Sequence, residues 1–327
     1  MTVAAVSHDA PRTGAIKIGT RGSRLALAQA HEVRQRLMDA HGRPHDQFEI
    51  CIIKTSGDQI QDRPLSEAGG KGLFTKEIEE ALLAGRIDLA VHSMKDMPTV
   101  LPDRLEIACL LPREDVRDAF ISFVAESVAA LPRHAIVGTS SLRRQAQIRR
   151  LRPDLQIIPF RGQVETRLRK LGEGQAAATL LACAGLKRLG MEHRITQRIP
   201  VEDMLPAVAQ GAIGIEVRTG DVAMRELLVP LDHAPTTIAI SAERAFLARL
   251  DGSCRTPIAA LATLDDRGVN LRGMILAADG SQIFETTRLG SARDASRMGR
   301  DAAEELLARA GSGFLAAFRG VSQGWHA

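Results

Sequence analysis

Two successive series of strand-like and helix-like segments most constrain how this chain can fold. Short runs rich in β-branched residues alternate with segments of helical periodicity from Ala15 to about Leu111, and the alternation returns from Asp118 to about Pro206. This pattern is typical of an α/β layer with a largely parallel sheet. The sequence therefore predicts two α/β lobes, and open sheets of this kind bind ligands in the crevice at their carboxyl edges.

The last part of the chain has a different pattern. From Thr236 onward a helix is followed by three strand-like runs, separated by the turn signals LDDRG and ADG, and then by a closing helix. That order predicts a small α+β third domain with an antiparallel sheet. A chain of 327 residues is long enough for two or three such cores.

Composition excludes several classes of protein. Four cysteines without paired spacing favour neither a disulfide framework nor a zinc site, which predicts a reducing compartment. No apolar run approaches the roughly 20 residues that span a bilayer, and the N-terminal segment lacks the apolar core of a signal peptide. We therefore expect a soluble, cytoplasmic protein without a membrane partner. Aromatic residues make up 3% of the chain and the net charge is only +4, which argues against a nucleic-acid partner.

The basic residues are unevenly divided between the two types. Arginine occurs 36 times and lysine 7 times. Genome composition is one explanation of this excess. The other is a ligand with several carboxylates or phosphates, because a guanidinium group binds such groups in a bidentate way and an ammonium group does not.

Two loops, one in each predicted lobe, resemble one another. Each consists of a strand end, a Gly-Thr pair and then a serine before a helix, with Thr20 and Ser23 in the first loop and Thr139 and Ser141 in the second. The unpaired N–H groups and the positive end of the dipole at a helix start attract anions. Plain helix capping is the alternative, but arginines also lie at both loops: Arg21, Arg24, Arg143 and Arg144.

Lys95 and Asp96 follow the buried-looking strand IDLAV. A lone aspartate at a carboxyl edge can act as a general acid or base, or as the counter-charge of a cationic intermediate. A Schiff base on Lys95 and a metal pair of His92 and Asp96 are further options, although no third metal ligand is close in sequence. A salt bridge between neighbours at the strand end would explain the pattern without any function.

Further basic groups and one thiol complete the set of candidates. Arg161 and Arg167 lie where a strand passes into a helix, and Lys71 lies in the glycine-rich stretch GGKGLF, which lacks the frame of a nucleotide-binding loop. Cys254 stands in the polar turn LDGSCRTPI, whereas the other three cysteines stand among apolar residues. Several arginines directed at one cleft imply a ligand with several negative charges.

The motifs together resemble the porphobilinogen deaminase (hydroxymethylbilane synthase) family from about residue 15 to about residue 310. The stretches that carry the resemblance occur in the family's order: GTRGSRLALAQ, GGKGLFTKEIE, DLAVHSMKDMP, REDVRDAF, VGTSSLRRQAQ, RGQVETRL, LACAGLKRLG, LPAVAQGAIGIE and the GSC turn. The motifs HSMKD, VGTSSLRR and the loop cysteine come from three separate regions, which makes the match specific.

The resemblance implies a cytoplasmic, monomeric transferase of tetrapyrrole biosynthesis. Such an enzyme condenses four porphobilinogen molecules head to tail onto a covalent dipyrromethane primer, with loss of ammonia, and releases linear hydroxymethylbilane. The resemblance implies periplasmic-binding-protein-like lobes formed by residues 15–112 with 212–231 and by residues 116–206, and a cofactor-attachment domain formed by residues 234–325.

The resemblance also assigns roles to individual residues. Asp96 is the expected catalytic group, Cys254 is expected to hold the cofactor by a thioether, and no metal is implied. The groups expected to bind the cofactor are Ser23, Lys95, Thr139, Ser141, Arg143 and Arg144. Those expected to bind substrate are Arg21, Arg161, Arg167 and Lys71.

A few positions depart from the family pattern, and two other functions fit parts of the sequence. The departures are Ala28, Glu67, Gln163, Glu165 and Ser253.

A two-lobed solute-binding protein would suit the paired anion loops but would have no use for Cys254 or Asp96. A cysteine hydrolase would need a basic partner for the thiol, and no histidine has a comparable loop context.

Overall fold

The computed structural model describes residues 14–59, 73–250 and 256–320. In chain order, the strands are β1 (Ile16–Arg21), β2 (Phe48–Ile53), β3 (Leu89–Ser93), β4 (Leu105–Leu110), β5 (Asp118–Ser122), β6 (Ile136–Gly138), β7 (Gln156–Ile158), β8 (Ala178–Ala182), β9 (Gln197–Arg198), β10 (Ile213–Arg218), β11 (Ile258–Asp265), β12 (Gly268–Leu276) and β13 (Ile283–Gly290). The helices are α1 (Arg24–His41), α2 (Ser56–Gln59), α3 (Lys76–Leu83), α4 (Leu142–Leu151), α5 (Val164–Gly172), α6 (Cys183–Arg188), α7 (Val222–Leu228), α8 (Ala234–Arg249) and α9 (Ala295–Gly320).

The first two sheets share one topology. Their strand orders are β2-β1-β3-β10-β4 and β7-β6-β8-β5-β9. In each sheet the fourth strand in this order runs antiparallel to both of its neighbours, while the remaining pairs are parallel. We call the residues around these sheets the first lobe and the second lobe. The chain crosses between them twice, through residues 111–117 and 199–212.

Helices cover both faces of the first sheet. On one face α1 buries Val33 and Leu37 against strand residues such as Leu89. On the other face α3 buries Ile78 and Leu82 in a separate apolar cluster. Burying a leucine or isoleucine side chain stabilises the fold by about 1.5–3 kcal/mol, so these faces fix each helix on the sheet.

The third domain is an antiparallel sheet, β11-β12-β13, packed on two helices. The ring of Phe246 on α8 is fully buried against this sheet. Helices α8 and α9 approach so closely that a Cβ atom at Gly299 would lie 2.1 Å from the carbonyl oxygen of Ala242, which only glycine permits. The other face of the sheet packs on α4 of the second lobe through Ala146, Leu261 and Met274.

One buried carboxylate joins the third domain to both crossing segments. Arg113 donates from Nη1 and Nη2 to Glu243 of α8 at 2.6 and 3.0 Å. The same carboxylate accepts from the backbone N–H groups of Ala209 and Ala262 at 2.6 and 2.7 Å. Glu243 therefore holds both crossings against the domain that follows them.

The structure confirms the predicted fold class of two α/β lobes with largely parallel sheets and a small α+β third domain. None of the helices in the described residues combines the length and the apolar character needed to cross a bilayer.

Candidate active site

Asp96 lies on a short turn at the carboxyl end of β3. The chain leaves this buried strand through one 3-10 turn, Met94–Asp96. The side chains of Met94 and Met97 are buried in the cluster that forms the core of the third domain, whereas Asp96 between them is exposed. The carboxylate makes no direct hydrogen bond within the part of the chain that the structure describes. The turn therefore presents one carboxylate to the space between the lobes.

Cationic groups of the second lobe face this turn. Burial lowers the pKa of Lys95; the adjacent Asp96 opposes that shift, and Arg144 adds to it. Burial also lowers the pKa of Arg167 to about 10. The charges of Arg144 and Arg161 add to the shift of Arg167, and Asp96 opposes it. Such interactions require proximity, so Lys95 and Asp96 share one cleft with arginines of the second lobe, and the excess positive charge suits an anionic ligand.

The two predicted anion loops are formed by helix N-caps. The Oγ atom of Ser23 caps α1 by accepting from the N–H of Ala26 at 3.2 Å, and Ser141 caps α4 by accepting from the N–H of Arg144 at 3.4 Å. Thr139 Oγ1 in turn accepts from the N–H of Ser141 at 3.2 Å. Capping occupies these oxygens as acceptors, while each hydroxyl keeps a hydrogen that it can donate to a ligand carboxylate. Capping and anion binding are therefore compatible in both loops.

Arg21 and Asp96 line the same pocket. The guanidinium carbon of Arg21 is 4.1 Å from the centre of the Phe74 ring, which orients the cation over an aromatic face. The pocket lies between α1 and the end of β3, and its lining includes Arg21, Ser23, Gln29, Phe74, Ser93 and Asp96. His92 is buried, and its Nε2 atom is 3.1 Å from Glu216 Oε2, so it is engaged within the first lobe. No group of three or more metal-ligating side chains occurs among the described residues.

Arg143 and Arg144 are buried on a shared carboxylate, that of Asp118. Arg143 Nη1 donates to Asp118 Oδ2 at 2.7 Å, and Arg144 Nη2 donates to Asp118 Oδ1 at 2.7 Å. Each arginine also donates to a backbone carbonyl, that of Leu205 or of Leu180. Burial acts to raise the pKa of Asp118, but the two guanidinium groups outweigh it and hold that pKa well below its usual range.

This arrangement gives both arginines a structural role that the sequence did not reveal. The buried Nε atom of Arg143 has no hydrogen-bond partner among the described residues. Two guanidinium groups share one carboxylate, so a positive charge is left over at the start of α4. Cofactor binding by Arg143 and Arg144 stays a prediction, and the leftover charge and the unpartnered donor are compatible with it.

Replacing Asp118 with asparagine is expected to lower the free energy of unfolding by about 3–5 kcal/mol at neutral pH, because two buried cations lose their counter-charge. The pKa of Asp118 is lower in the folded than in the unfolded state, so its stabilisation is present above the unfolded value near 3.9 and is lost as the pH falls. Urea unfolding at pH 7 and at pH 3 measures this difference.

The gap in stability between wild type and Asp118→Asn should therefore narrow in acid. The matched control is Asp294→Asn, because Asp294 pairs with Arg297 at an exposed site. That substitution should leave stability nearly unchanged at both pH values. Equal unfolding free energies of wild type and Asp118→Asn at pH 7 would contradict the stabilising role of this carboxylate. A difference at pH 3 as large as that at pH 7 would also contradict it.

The lobes also meet through side chains that the sequence did not single out as partners. Arg24 at the start of α1 forms an ion pair of 2.7 Å with Glu165 in the first turn of α5. Arg188 on α6 contacts Glu32 on α1 at 3.3 Å and donates to the carbonyl of Gly211 in the second crossing segment. Glu165, a departure from the family pattern, is thus paired across the lobes.

Two predicted site residues, Lys71 and Cys254, lie outside the described residues, as do Glu67 and Ser253. The remaining ones fall into two groups. Ser23, Arg21, Lys95 and Asp96 belong to the pocket and turn of the first lobe. In the second lobe, Arg144 and Arg167 interact electrostatically with Lys95, and Arg161 does so with Arg167. Thr139, Ser141 and Arg143 lie in the loop before α4 and in its first turn.

The fold and this cleft define a two-lobed α/β protein suited to an anionic ligand, with one exposed carboxylate among cations. Two family models match the chain: "Porphobilinogen deaminase, dipyromethane cofactor binding domain" over residues 16–226 and "Porphobilinogen deaminase, C-terminal domain" over residues 237–308. The chain belongs to the porphobilinogen deaminase family.

Curated relatives agree with this assignment. Porphobilinogen deaminase of Paracoccus denitrificans (strain Pd 1222) is 58% identical over 300 residues, which cover 92% of this chain and 96% of the relative. The chloroplastic porphobilinogen deaminase of Pisum sativum is 57% identical over 310 residues, which cover 93% of this chain and 84% of the relative. The resemblance, the transferase class with hydroxymethylbilane synthase activity and the dipyrromethane cofactor inferred from the sequence are confirmed, and the solute-binding and hydrolase alternatives are wrong.

Solved structures show only a distant likeness. A nutrient binding protein from Burkholderia cenocepacia bound to methionine has 15% identity and a TM-score of 0.40, over 65% of this chain and 90% of that one. A TRAP periplasmic solute binding protein from Desulfovibrio salexigens has 10% identity and a TM-score of 0.40, over 67% and 72% of the two chains. No conclusion about function follows from likenesses of this size.

Proposed function

We propose that this chain condenses four porphobilinogen molecules head to tail onto its dipyrromethane primer, with loss of ammonia, and releases linear hydroxymethylbilane for tetrapyrrole biosynthesis. The main structural support for this proposal is the position of Asp96. Its carboxylate is exposed and faces cations of the other lobe. A polyanionic pyrrole chain and a cationic reacting centre need those two features together.

The side chains of the cleft fit a dipyrromethane group. Each pyrrole unit derived from porphobilinogen carries an acetate and a propionate, so the group brings several carboxylates. The donors available are guanidinium groups and hydroxyl groups at helix N-caps, and both bind carboxylates well. We assign the binding of these carboxylates to Ser23, Lys95, Thr139, Ser141, Arg143 and Arg144. The dipyrromethane, when bound, supplies the primer on which the chain grows.

Asp96 is assigned the catalytic role. Loss of ammonia from porphobilinogen leaves an electron-poor methylene-pyrrolenine cation. A carboxylate fixed beside that centre stabilises the cation, because the charge is already in place when the C–N bond breaks. The aminomethyl group leaves from its ammonium form as ammonia, and the same carboxylate can then accept the proton that the attacking ring carbon loses on rearomatisation.

Substrate carboxylates are assigned to Arg21, Arg161, Arg167 and Lys71. Arg21 is oriented by the Phe74 ring, and Arg167 is fixed by a hydrogen bond from its Nε atom to the carbonyl of Gly162 at 2.9 Å. Within the described residues this hydrogen bond uses Nε, so the terminal nitrogens of Arg167 can bind a ligand. Cys254 is the proposed attachment point through a thioether.

The proposal extends to domain boundaries, oligomeric state and compartment. Residues 15–112 with 212–231, residues 116–206 and residues 234–325 are proposed as the three domains, and the distribution of strands over three sheets supports this division. We propose a monomer, since the cleft takes residues from both lobes of one chain. We propose a cytoplasmic location, since the four cysteines without paired spacing favour a reducing compartment.

Turnover of porphobilinogen by the purified holoenzyme tests the function. Four molecules of ammonia are expected for each hydroxymethylbilane, counted by an enzymatic ammonia assay and by mass spectrometry of the product. A ratio other than four to one, or no ammonia release, would contradict the proposed reaction.

Light scattering on the same sample should give the mass of one chain, and a dimer mass would contradict the monomer without affecting the reaction.

A further inference from the structure

Arg244 of the third domain reaches the backbone that directly follows Asp96. It lies on α8, and its Nη2 atom donates to the carbonyl of Pro98 at 2.7 Å. Weaker contacts reach the carbonyls of Met97 and Thr99 at 3.5 and 3.4 Å. One guanidinium group thus spans three consecutive carbonyls just beyond the proposed catalytic carboxylate.

The cation of Arg244 has no acidic partner in the part of the chain that the structure describes. Its side chain is half-buried, and burial is the cause that lowers its pKa. Removing a cation from water without a counter-charge is unfavourable, and hydrogen bonds to carbonyls are what offset that cost here. A residue kept only to fill this space would not need to be charged.

The segment after Asp96 depends on outside donors for its shape. Pro98 has no N–H group, so it cannot donate a backbone hydrogen bond within this segment. The side chain of Met97 is packed in the same cluster as Ile240 and Phe246 of α8. Helix α8 therefore holds this segment by its side chain, through Met97, and by its backbone, through Arg244.

We propose that Arg244 is a positioning residue that fixes the Asp96 carboxylate relative to the third domain. This inference rests on the proposed function, because it takes Asp96 as the catalytic group. Helix α8 ends at Arg249, and Cys254 follows within the next five residues of the sequence. The same helix thus anchors the catalytic turn and leads to the proposed attachment point of the growing chain. Arg244 acts through the backbone of residues 97–99 and need not touch substrate.

The test compares Arg244→Met, Arg244→Lys and the matched control Arg152→Met, all as holoenzymes with the cofactor confirmed by intact mass. Methionine keeps the apolar stem and removes the donors, while lysine keeps the charge and one donor group. Arg152 is an arginine of the second lobe that likewise binds backbone carbonyls, those of Val128, Ala129 and Leu131. Unlike Arg244, it also pairs with a carboxylate, that of Asp154, at 2.7 Å, and within the described residues it has no contact with the Asp96 turn.

Arg244→Met is expected to lower kcat by about 10- to 100-fold with KM within about twofold, because a displacement of about 1 Å at a catalytic group has an effect of this size. Arg244→Lys should recover part of that loss. Hydrogen exchange at the amides of residues 97 and 99–101 should become faster in Arg244→Met. Arg152→Met should keep kcat unchanged and show faster exchange only near residues 128–131.

Wild-type kcat in Arg244→Met holoenzyme would overturn the proposal, as would a loss of kcat without faster exchange at residues 97–101. If Arg244→Met does not fold or does not acquire the cofactor, Arg244→Lys decides: a reduced kcat at normal holoenzyme mass supports the proposal, and a wild-type kcat overturns it. Full activity of an Asp96→Asn enzyme is a separate result, since it would reject the catalytic role of Asp96 itself.

Discussion

Replacing Asp96 with asparagine is expected to lower kcat by about 10²- to 10⁴-fold, which is the range for losing a positioned charge or a general acid–base group. Asparagine has nearly the same shape, but it removes the negative charge that faces Lys95 and Arg167. Steady-state turnover of porphobilinogen, measured on enzyme that already carries the cofactor, gives the result.

The control for this substitution is Asp103→Asn, an exposed aspartate of the same lobe. It should retain wild-type turnover. Both variants should unfold at wild-type urea concentrations, because Asp96 makes no direct hydrogen bond within the described residues. An Asp96→Asn enzyme that turns over at the rate of the control would remove Asp96 from the mechanism.

Replacing Cys254 with serine is expected to abolish the covalent cofactor and with it all turnover. A serine hydroxyl is a much weaker nucleophile than a thiol under the same conditions, so no ether should form in its place. Intact-protein mass spectrometry should show the bare chain for Cys254→Ser and a mass increased by the dipyrromethane for wild type.

The other cysteines serve as controls. Burial raises the pKa values of Cys109 and Cys183 to about 12, so these thiols stay protonated and unreactive at neutral pH. Burial also raises the pKa of the half-buried Cys51. A Cys51→Ala variant should therefore keep the added mass and the activity. Added mass that persists in Cys254→Ser, or that disappears in Cys51→Ala, would place the attachment on another residue.

The parts of the site that the sequence predicted are those defined by local chemistry. Ser23 and Ser141 are helix N-caps, and a cap is specified within three residues of the chain. Asp96 lies three residues after a buried strand and two residues before Pro98, which places it near the carboxyl end of that strand. These features were recognisable because they need no knowledge of distant residues.

Pairs of residues far apart in sequence could not be predicted in the same way. The sequence predicts ligand groups at Arg143 and Arg144, and the structure pairs both with Asp118, which lies 25 and 26 residues earlier. The sequence signal available was the charged residue directly before the apolar run AFISFV, since a carboxylate buried there requires a partner. Arg244 gave no signal at all, because its partners are carbonyl groups of another domain.

The boundaries between strands and helices inside apolar runs also could not be predicted from the sequence. Residues 178–186 form one apolar run in the sequence, ATLLACAGL, but the structure divides it into β8 and the start of α6 at Cys183. Periodicity does not distinguish a buried strand from a short buried helix. Strand β9 has two residues and was not predicted from the sequence.

The two crossings between the lobes have a consequence for the order of folding during synthesis. In the first sheet, β10 lies between β3 and β4 and is the last of the five strands to leave the ribosome. The second sheet is contiguous in sequence and has all its strands once residue 198 has emerged. The second lobe can therefore fold on the nascent chain while the first still lacks an internal strand, so the N-terminal lobe is completed after the lobe that follows it.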